Sequence, residues 1–455
     1  MFREISPLDG RYRAQLGELG DLFSEFALVR ERCRVELLYL LALEETGCFP
    51  SLDADERERV DRVLSGFSDD DFKRVRTIEQ TTHHDVKACE LFLREALELA
   101  HPEAIHFGLT SADVSNLAYA RLITRYRDTV QVPQVRRLIE ALADRADRWA
   151  DVSFPAFTHG QPASPTTVGK ELAVFVRRLL VQAQTLESIR FYGKLNGATG
   201  TYAAPATAAP DVNWPAFSQR FVEGMGLAWN DCTTQVEPGD RLAEYFGTVA
   251  RINNVLLDLD VDLWEYISRG LFVQHVVAGE VGSSTMPHKV NPVRFENSEG
   301  NGTIANALLR ALSDKLTHSR MQRDLSGSTV MRNIGVALAH SYLAVEQTTL
   351  GLSRIDVDRD ACRQAVDAHP EVLAEAIQTI LRAEGIADAY ELLKGQTRGK
   401  PVTVDSLRAM ADGLNVGDEA KQRIRSLDPA TYVGLAETIA RRVIADARAW
   451  LTAAR

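Results

Sequence analysis

Long apolar runs are missing from this chain of 455 residues: none is long enough to cross a bilayer, and no charged-then-apolar leader follows Met1. The expected location is therefore the cytoplasm, with no membrane partner. Positive charge is also short. Lys and Arg number 52 against 63 Asp and Glu, a net charge of −11. A protein that grips a nucleic-acid backbone usually has the opposite bias, so no nucleic-acid partner is expected. An anionic small substrate would have to be met by a local cluster of Arg, Lys and main-chain N–H groups. The five cysteines (Cys33, Cys48, Cys89, Cys232, Cys362) are scattered, odd in number and without a CxxC pair. That fits reduced core thiols rather than a disulfide framework or a zinc knuckle. Strand-like alternation is nearly absent, and there is neither an internal repeat nor a low-complexity tract.

Helical periodicity is what the chain has in quantity. Phe26, Val29, Cys33, Leu37 and Leu40 recur at steps of three and four, the stripe of one helix face, and Gly47 with Pro50 supplies a stop. A second stripe runs Leu242, Phe246, Val249, Ile252, Leu256, Leu259, Leu263, Ile267. Further helical stretches cover roughly 111–150, 166–190, 302–317 and 329–353, with a kink expected at Pro133. Residues 172–181 are apolar on more than one face, so association between subunits is expected. The predicted fold is all-α: an elongated long-helix bundle core over 111–355, flanked by smaller helical domains over 1–110 and 356–455.

The segment Gly282-Ser283-Ser284-Thr285-Met286-Pro287-His288-Lys289-Val290-Asn291-Pro292 cannot continue a helix. Adjacent hydroxyls, main-chain N–H groups around a glycine, Lys289 and Asn291 are the parts needed to hold a carboxylate and receive a proton beside it. Composition alone leaves a plain polar connection equally open. The segment, however, resembles the GSSxMPxKxN signature of the fumarase/aspartase superfamily, whose members are homotetramers on a long helical bundle and split fumarate from a substrate by β-elimination.

Other blocks resemble one family within it, the adenylosuccinate lyases in their bacterial form. These are Ser6-Pro7-Leu8-Asp9-Gly10-Arg11-Tyr12, Thr82-His83-His84-Asp85-Val86-Lys87-Ala88, His106-Phe107-Gly108-Leu109-Thr110-Ser111-Ala112-Asp113, and Thr158-His159-Gly160-Gln161-Pro162-Ala163-Ser164-Pro165. Gln322-Arg323-Asp324 with Ser328-Thr329-Val330-Met331-Arg332-Asn333 completes the set, and Thr397-Arg398-Gly399-Lys400 is a looser echo. Read alone, these residues have plain explanations: a surface turn at Arg11-Tyr12, a helix cap at Thr110–Asp113, surface ion pairs for Arg323 and Arg332. No metal-ligand spacing accompanies His83, His84 and Asp85.

The resemblance implies a C–N lyase of purine biosynthesis that needs neither metal nor cofactor. It would release fumarate from adenylosuccinate, giving AMP, and from the succinylated aminoimidazole carboxamide ribotide. It implies Ser283 as the base, as the serine just after the glycine, although spacing alone does not separate it from Ser284. His159 would be the general acid, and His84 would position or protonate the leaving group. Arg11 and Tyr12 would bind the phosphate, and Arg323 and Arg332 the carboxylate and phosphate. Lys289 and Asn291 would stabilise the anionic intermediate. His83, Asp85, Thr110, Ser111, Thr158, Gln235, Asn297 and Ser328 would complete the substrate-binding set, with sites shared between subunits of a homotetramer. Two departures stand out: Gly327 where many relatives carry Asp, and Asn297 in place of an Arg seen in some members of the wider family. The competing expectations are another lyase of the superfamily, acting on argininosuccinate or malate, and a non-catalytic homologue.

Overall fold

The computed structural model describes residues 3–276, 279, 285–286, 288–397 and 402–453. Long helices dominate, as the periodicity predicts. The first stripe folds as the helix Glu25–Leu43, opened by the Ser24 hydroxyl, which accepts from the Ala27 N–H at 3.2 Å. A short 3-10 turn and Gly47, at φ 68°, close it. The second stripe becomes Asp240–Ser268. Val168–Ser188, Val293–Leu316 and Ile334–Leu352 are further long helices.

The Val293–Leu316 helix begins well before residue 302, where the apolar stripe first shows. Its early turns bury polar residues instead. Ser298 shares a 2.8 Å hydrogen bond with Thr348, and the Asn301 side chain lies 2.8 Å from His340 Nδ1. A face that is buried through hydrogen bonds leaves no hydrophobic period to detect.

At Pro133 the chain does not simply kink. Ser111–Tyr126 runs into a π-helical turn, Arg127–Gln131, and then into Val132–Arg148. The wider turn lets the Val132 N–H reach the Arg127 carbonyl just before the proline, which has no N–H to donate.

Strand structure appears where none was expected. Ser153–Thr158 and Gln161–Thr167 form an antiparallel hairpin, with Thr158 opposite Gln161 and a register shift between Phe154 and Ala156. Pro155, Pro162 and Pro165 argue against a central strand, but in a two-stranded ribbon both strands are edges and proline is tolerated. The helix expected near Pro165 consequently starts only at Val168.

The chain divides into two compact units that alternate along the sequence. The first comprises Met1–Gln134, Gln182–Asn254 and Gly300–Val345, the second Val135–Val181, Val255–Glu299 and Glu346–Arg455. In the first, Val29, Cys33, Leu37 and Leu40 pack with Val60, Val75, Phe92, Leu93 and Leu97 from the following helices. In the second, one core gathers Leu373, Ile377, Leu381, Leu393, Leu407 and Ile424. Each such side chain contributes roughly 1.5–3 kcal/mol by leaving water.

Candidate active site

In the first unit the site is built outward from the start of the Ser111–Tyr126 helix. Thr110 is its N-cap residue, and the Asp113 carboxylate reaches back to the Thr110 N–H at 2.8 Å, the reciprocal half of a capping box. Asp113 does more than cap. Its other oxygen meets the Lys194 ammonium at 2.7 Å and the N–H groups of Asn196 and Gly197 at 3.1 and 3.4 Å. Both side chains of the Asp113–Lys194 pair are 0% exposed. Burial pulls the Lys194 ammonium below the ordinary lysine value even with Asp113 beside it. A buried pair like this persists only when its remaining donors are satisfied. Lys194 meets that condition through the carbonyls of Gly197 and Gln235, at 3.0 and 2.9 Å.

The next link is Gln235. Its amide donates to the Ala198 carbonyl at 2.8 Å, and its oxygen accepts from Arg323 Nη1 at 2.9 Å. Gly200 is required where these loops meet: it sits at φ 75°, and a Cβ there would collide with the Thr233 carbonyl. Ser111, Arg323 and Ser328 open onto one cleft of about 950 Å³ counted out to solvent, lined also by Tyr192, Arg241 and Lys315. Ser328 lies on the short helix Ser326–Met331. Asp324 lies just ahead of that helix, accepting from the Ser326 hydroxyl and from the N–H groups of Arg320 and Ser326, and these bonds hold its carboxyl well below the usual range.

A second group sits where one helix ends and another begins. His83 closes Asp69–Thr82 in a left-handed conformation, φ 51°. His84 is the N-cap of Asp85–Leu97 and accepts from the Lys87 N–H through Nδ1 at 3.1 Å. In the neutral ring the proton is thereby assigned to Nε2, which lies 3.5 Å from Ser111 Oγ. Asp85 pairs with Arg32 at 2.9 Å and with Arg332 at 3.1 Å. Burial alone would raise its carboxyl. Arg32 first, then the Val86 N–H and Arg332, outweigh burial and keep it below the ordinary aspartate value. Arg332 also faces Glu25 at 3.7 Å, so two carboxylates hold its guanidinium. Arg11 and Tyr12 occupy a turn in which the Tyr12 N–H donates to the Pro7 carbonyl at 2.9 Å, with Arg11 exposed.

The second unit carries the remaining residues. His159 and Gly160 are the two-residue tip of the hairpin, both at positive φ, 54° and 73°. Thr158 and His159 are exposed there. The arrangement is that of a type I′ hairpin turn, whose backbone twist matches the strands it joins. Lys289 is exposed and Asn291 half-buried in the segment ahead of Val293–Leu316, and Asn297 is half-buried on that helix. Ser283 and Ser284 lie outside the described residues, as do Arg398, Gly399 and Lys400.

Sequence reasoning missed Lys194 and Arg32 altogether and saw Asp113 as a cap within the His106–Asp113 block, not as the partner of a buried lysine. The only signal for Lys194 was a single basic residue within Tyr192-Gly193-Lys194-Leu195, which is weak. Among the described residues no group of three or more His, Cys, Asp or Glu could hold a metal ion, and no helix is long and apolar enough to cross a membrane.

Residues 18–307 match the lyase family model and residues 319–433 the model of the adenylosuccinate lyase C-terminal region. The chain is 44% identical over 443 residues to the adenylosuccinate lyase of Escherichia coli (strain K12), covering 96% of this chain and 97% of that one. The chain belongs to the adenylosuccinate lyase family. Adenylosuccinate lyases of Vibrio cholerae and Haemophilus influenzae are 44% and 43% identical, each over 95% of this chain and 97% and 96% of their own. Two solved structures share its fold: a fumarate lyase from Mesorhizobium sp. BNC1 and the 3-carboxy-cis,cis-muconate lactonizing enzyme from Pseudomonas putida. Their TM-scores are 0.78 and 0.76, at 20% and 21% identity, over 94% and 95% of this chain and 97% of each of theirs. Membership of the adenylosuccinate lyase family agrees with the all-helical expectation and with the sequence blocks at Ser6–Tyr12 and Gly282–Pro292.

Proposed function

We propose that the chain is an adenylosuccinate lyase, eliminating fumarate from adenylosuccinate to give AMP and from the succinylated aminoimidazole carboxamide ribotide to give the carboxamide ribotide. Near-full-length identity of 44% to a protein of that name carries the reading. The competing readings are lyases acting on argininosuccinate or malate.

In the proposed reaction Ser283 takes the proton from the succinyl carbon beside the carboxylate, and negative charge moves onto that carboxylate. Lys289, Asn291 and main-chain N–H groups of the Gly282–Pro292 segment stabilise the resulting anion, usually the largest contribution to such catalysis. The C–N bond then breaks, its electron pair goes to nitrogen, and His159 supplies the proton. Fumarate and the amine leave. Because a serine hydroxyl is a poor base, it acts only where donors surround the developing alkoxide and water is excluded.

Most of the proposed binding residues belong to the first unit. Arg323 is already oriented by Gln235, and Arg332 by Asp85. The substrate's anionic groups would draw on these guanidinium charges, together with Arg11, Tyr12, Ser111, Thr110 and Ser328, which meets the need for local positive charge in a chain of net charge −11. His84, with its proton on Nε2, presents a donor toward Ser111. His83, Asp85, Thr158 and Asn297 complete the binding set. The working form is a cytoplasmic homotetramer in which each site draws on more than one subunit.

The test is turnover of adenylosuccinate, followed by the fall in its absorbance and by fumarate release, for wild type, Ser283→Ala and Ser284→Ala. The proposal expects wild-type turnover, near-complete loss with Ser283→Ala and retained activity with Ser284→Ala. Wild type inactive on adenylosuccinate but active on argininosuccinate or malate would overturn it.

A further inference from the structure

The first unit has another large recess, of about 960 Å³ counted out to solvent, which shares no lining residue with the lyase cleft. Arg30 and Arg34 reach it from the Glu25–Leu43 helix, and Arg121 and Arg125 from the Ser111–Tyr126 helix. Each pair is spaced i,i+4, which puts both guanidinium groups on one face, and like charges at that spacing destabilise a bare helix. The two helices pack against each other. Two repelling pairs therefore line a single groove.

Little on the protein answers this charge. Among the described residues the only carboxylate lining the groove is Glu31, and it is paired with Arg121. Arg30 donates to the Asp21 carbonyl at 2.7 Å and Arg34 to the Leu64 carbonyl at 3.4 Å, neutral acceptors that leave the charge standing. Among the described residues Arg30, Arg34 and Arg125 form no ion pair, and Arg34 and Arg125 are exposed. The helix dipole favours cations at a free C-terminal turn, but Arg30 and Arg34 are not in the last turn of theirs, and the helix bearing Arg125 runs on through Arg127–Gln131 into Val132–Arg148. The groove is net positive by three charges in a chain that is net negative. Val63, Leu64, Phe67 and Leu122 give it an apolar wall.

We propose that this groove is a second anion site, separate from the lyase cleft, and that its ligand is an oligophosphate, either inorganic or carried on a nucleoside. Guanidinium forks match phosphate oxygens in bidentate geometry. A chain of two or three phosphates brings about the negative charge that the groove lacks. The wall around Phe67 offers a face on which a base can rest.

Calorimetric titration of the full-length protein with inorganic triphosphate and with ATP, at about 0.15 M salt where exposed charges are screened beyond roughly 8 Å, tests the proposal. Wild type is expected to bind, Arg34→Ala/Arg125→Ala to bind at least about tenfold more weakly, and Arg323→Ala, altered in the lyase cleft, to bind as wild type does. Tighter binding of ATP than of triphosphate identifies the nucleoside form as the ligand, and equal binding identifies the phosphate chain alone. Either supports the site. No binding by wild type at millimolar ligand, or binding lost in Arg323→Ala but kept in the groove variant, overturns it. If the double variant loses its helical circular dichroism, Arg125→Glu, a single change at an exposed position, replaces it with the same expected loss of binding. Adenylosuccinate turnover without oligophosphate is expected to be unchanged in the groove variants, which separates this test from that of the lyase reading.

Discussion

Thr110–Asp113 and His159–Gly160 both carry residues assigned to the same reaction, and the fold holds them in opposite ways. The first sits on a buried frame: Asp113 and Lys194, wholly enclosed, tie the helix start to the Asn196–Gly200 and Thr233–Gln235 loops, and through Gln235 to Arg323. The second is an exposed turn whose shape comes from two residues in the left-handed region. One segment is fixed by its partners and the other by its own backbone. The proposed binding groups Thr110, Ser111 and Arg323 are therefore set by a network whose loss is expected to cost folding stability. The proposed general acid rides on a turn that can be altered with little effect on the fold.

That contrast can be broken at four points. His159→Ala is expected to lower kcat roughly 10²–10⁴-fold, the usual span for a general acid. Because the side chain is exposed, the unfolding midpoint should hardly move. A fall in stability matching the loss of activity would erase the distinction. Lys194→Met should do the reverse, destabilising by about 3–5 kcal/mol in urea titrations because it leaves Asp113 buried without its cation. Lys194→Met/Asp113→Asn should recover part of that stability. If Lys194→Met unfolds like wild type, the frame is not what holds the first segment.

Smaller effects sharpen the picture. Gly160→Ala adds a Cβ that meets nothing nearby, so its cost is the strained φ alone, about 1 kcal/mol. Activity should fall by more than stability does, since the turn aims His159. Last comes pH. His106 Nδ1 lies 2.5 Å from the buried Glu36 carboxylate. Burial pulls the imidazole down, but hydrogen bonding and charge from Glu36 outweigh it, leaving His106 above its ordinary value of 6.5. A raised value means that the pair stabilises the fold fully below about pH 6.5 and loses this contribution as pH rises through the higher folded value. Glu36→Gln should flatten this decline in stability measured from pH 6 to 9. An unchanged slope would assign the decline elsewhere.

Most of the fold was legible because it is written in apolar stripes. The Glu25–Leu43 and Asp240–Ser268 helices fall where Phe26–Leu40 and Leu242–Ile267 place them. The start of Val293–Leu316 and the Ser153–Thr167 hairpin were not legible, for two different physical reasons. Ser298 and Asn301 are buried through hydrogen bonds rather than hydrophobicity, and prolines hid the strands of an isolated ribbon. At the site, the blocks around Arg323, Ser328 and Ser111 meet on one cleft. Residues that act by supporting others, Lys194 above all, carry no pattern of their own. Long-range pairing is what gives them a role, and only the folded chain displays it.

The central proposal is that the buried frame and the hairpin tip supply different parts of one site, contributed by different subunits. Mixing His84→Gln, altered in the first unit, with His159→Gln, altered in the second, tests this most directly. The two inactive proteins are dissociated together, reassembled and assayed on adenylosuccinate. If each site takes these histidines from two different subunits, random mixing at equal amounts leaves about one quarter of sites with both native residues, and activity returns toward that fraction. If the reassembled mixture is no more active than its two parents, both histidines of a site come from one chain, and the account of a shared site is wrong.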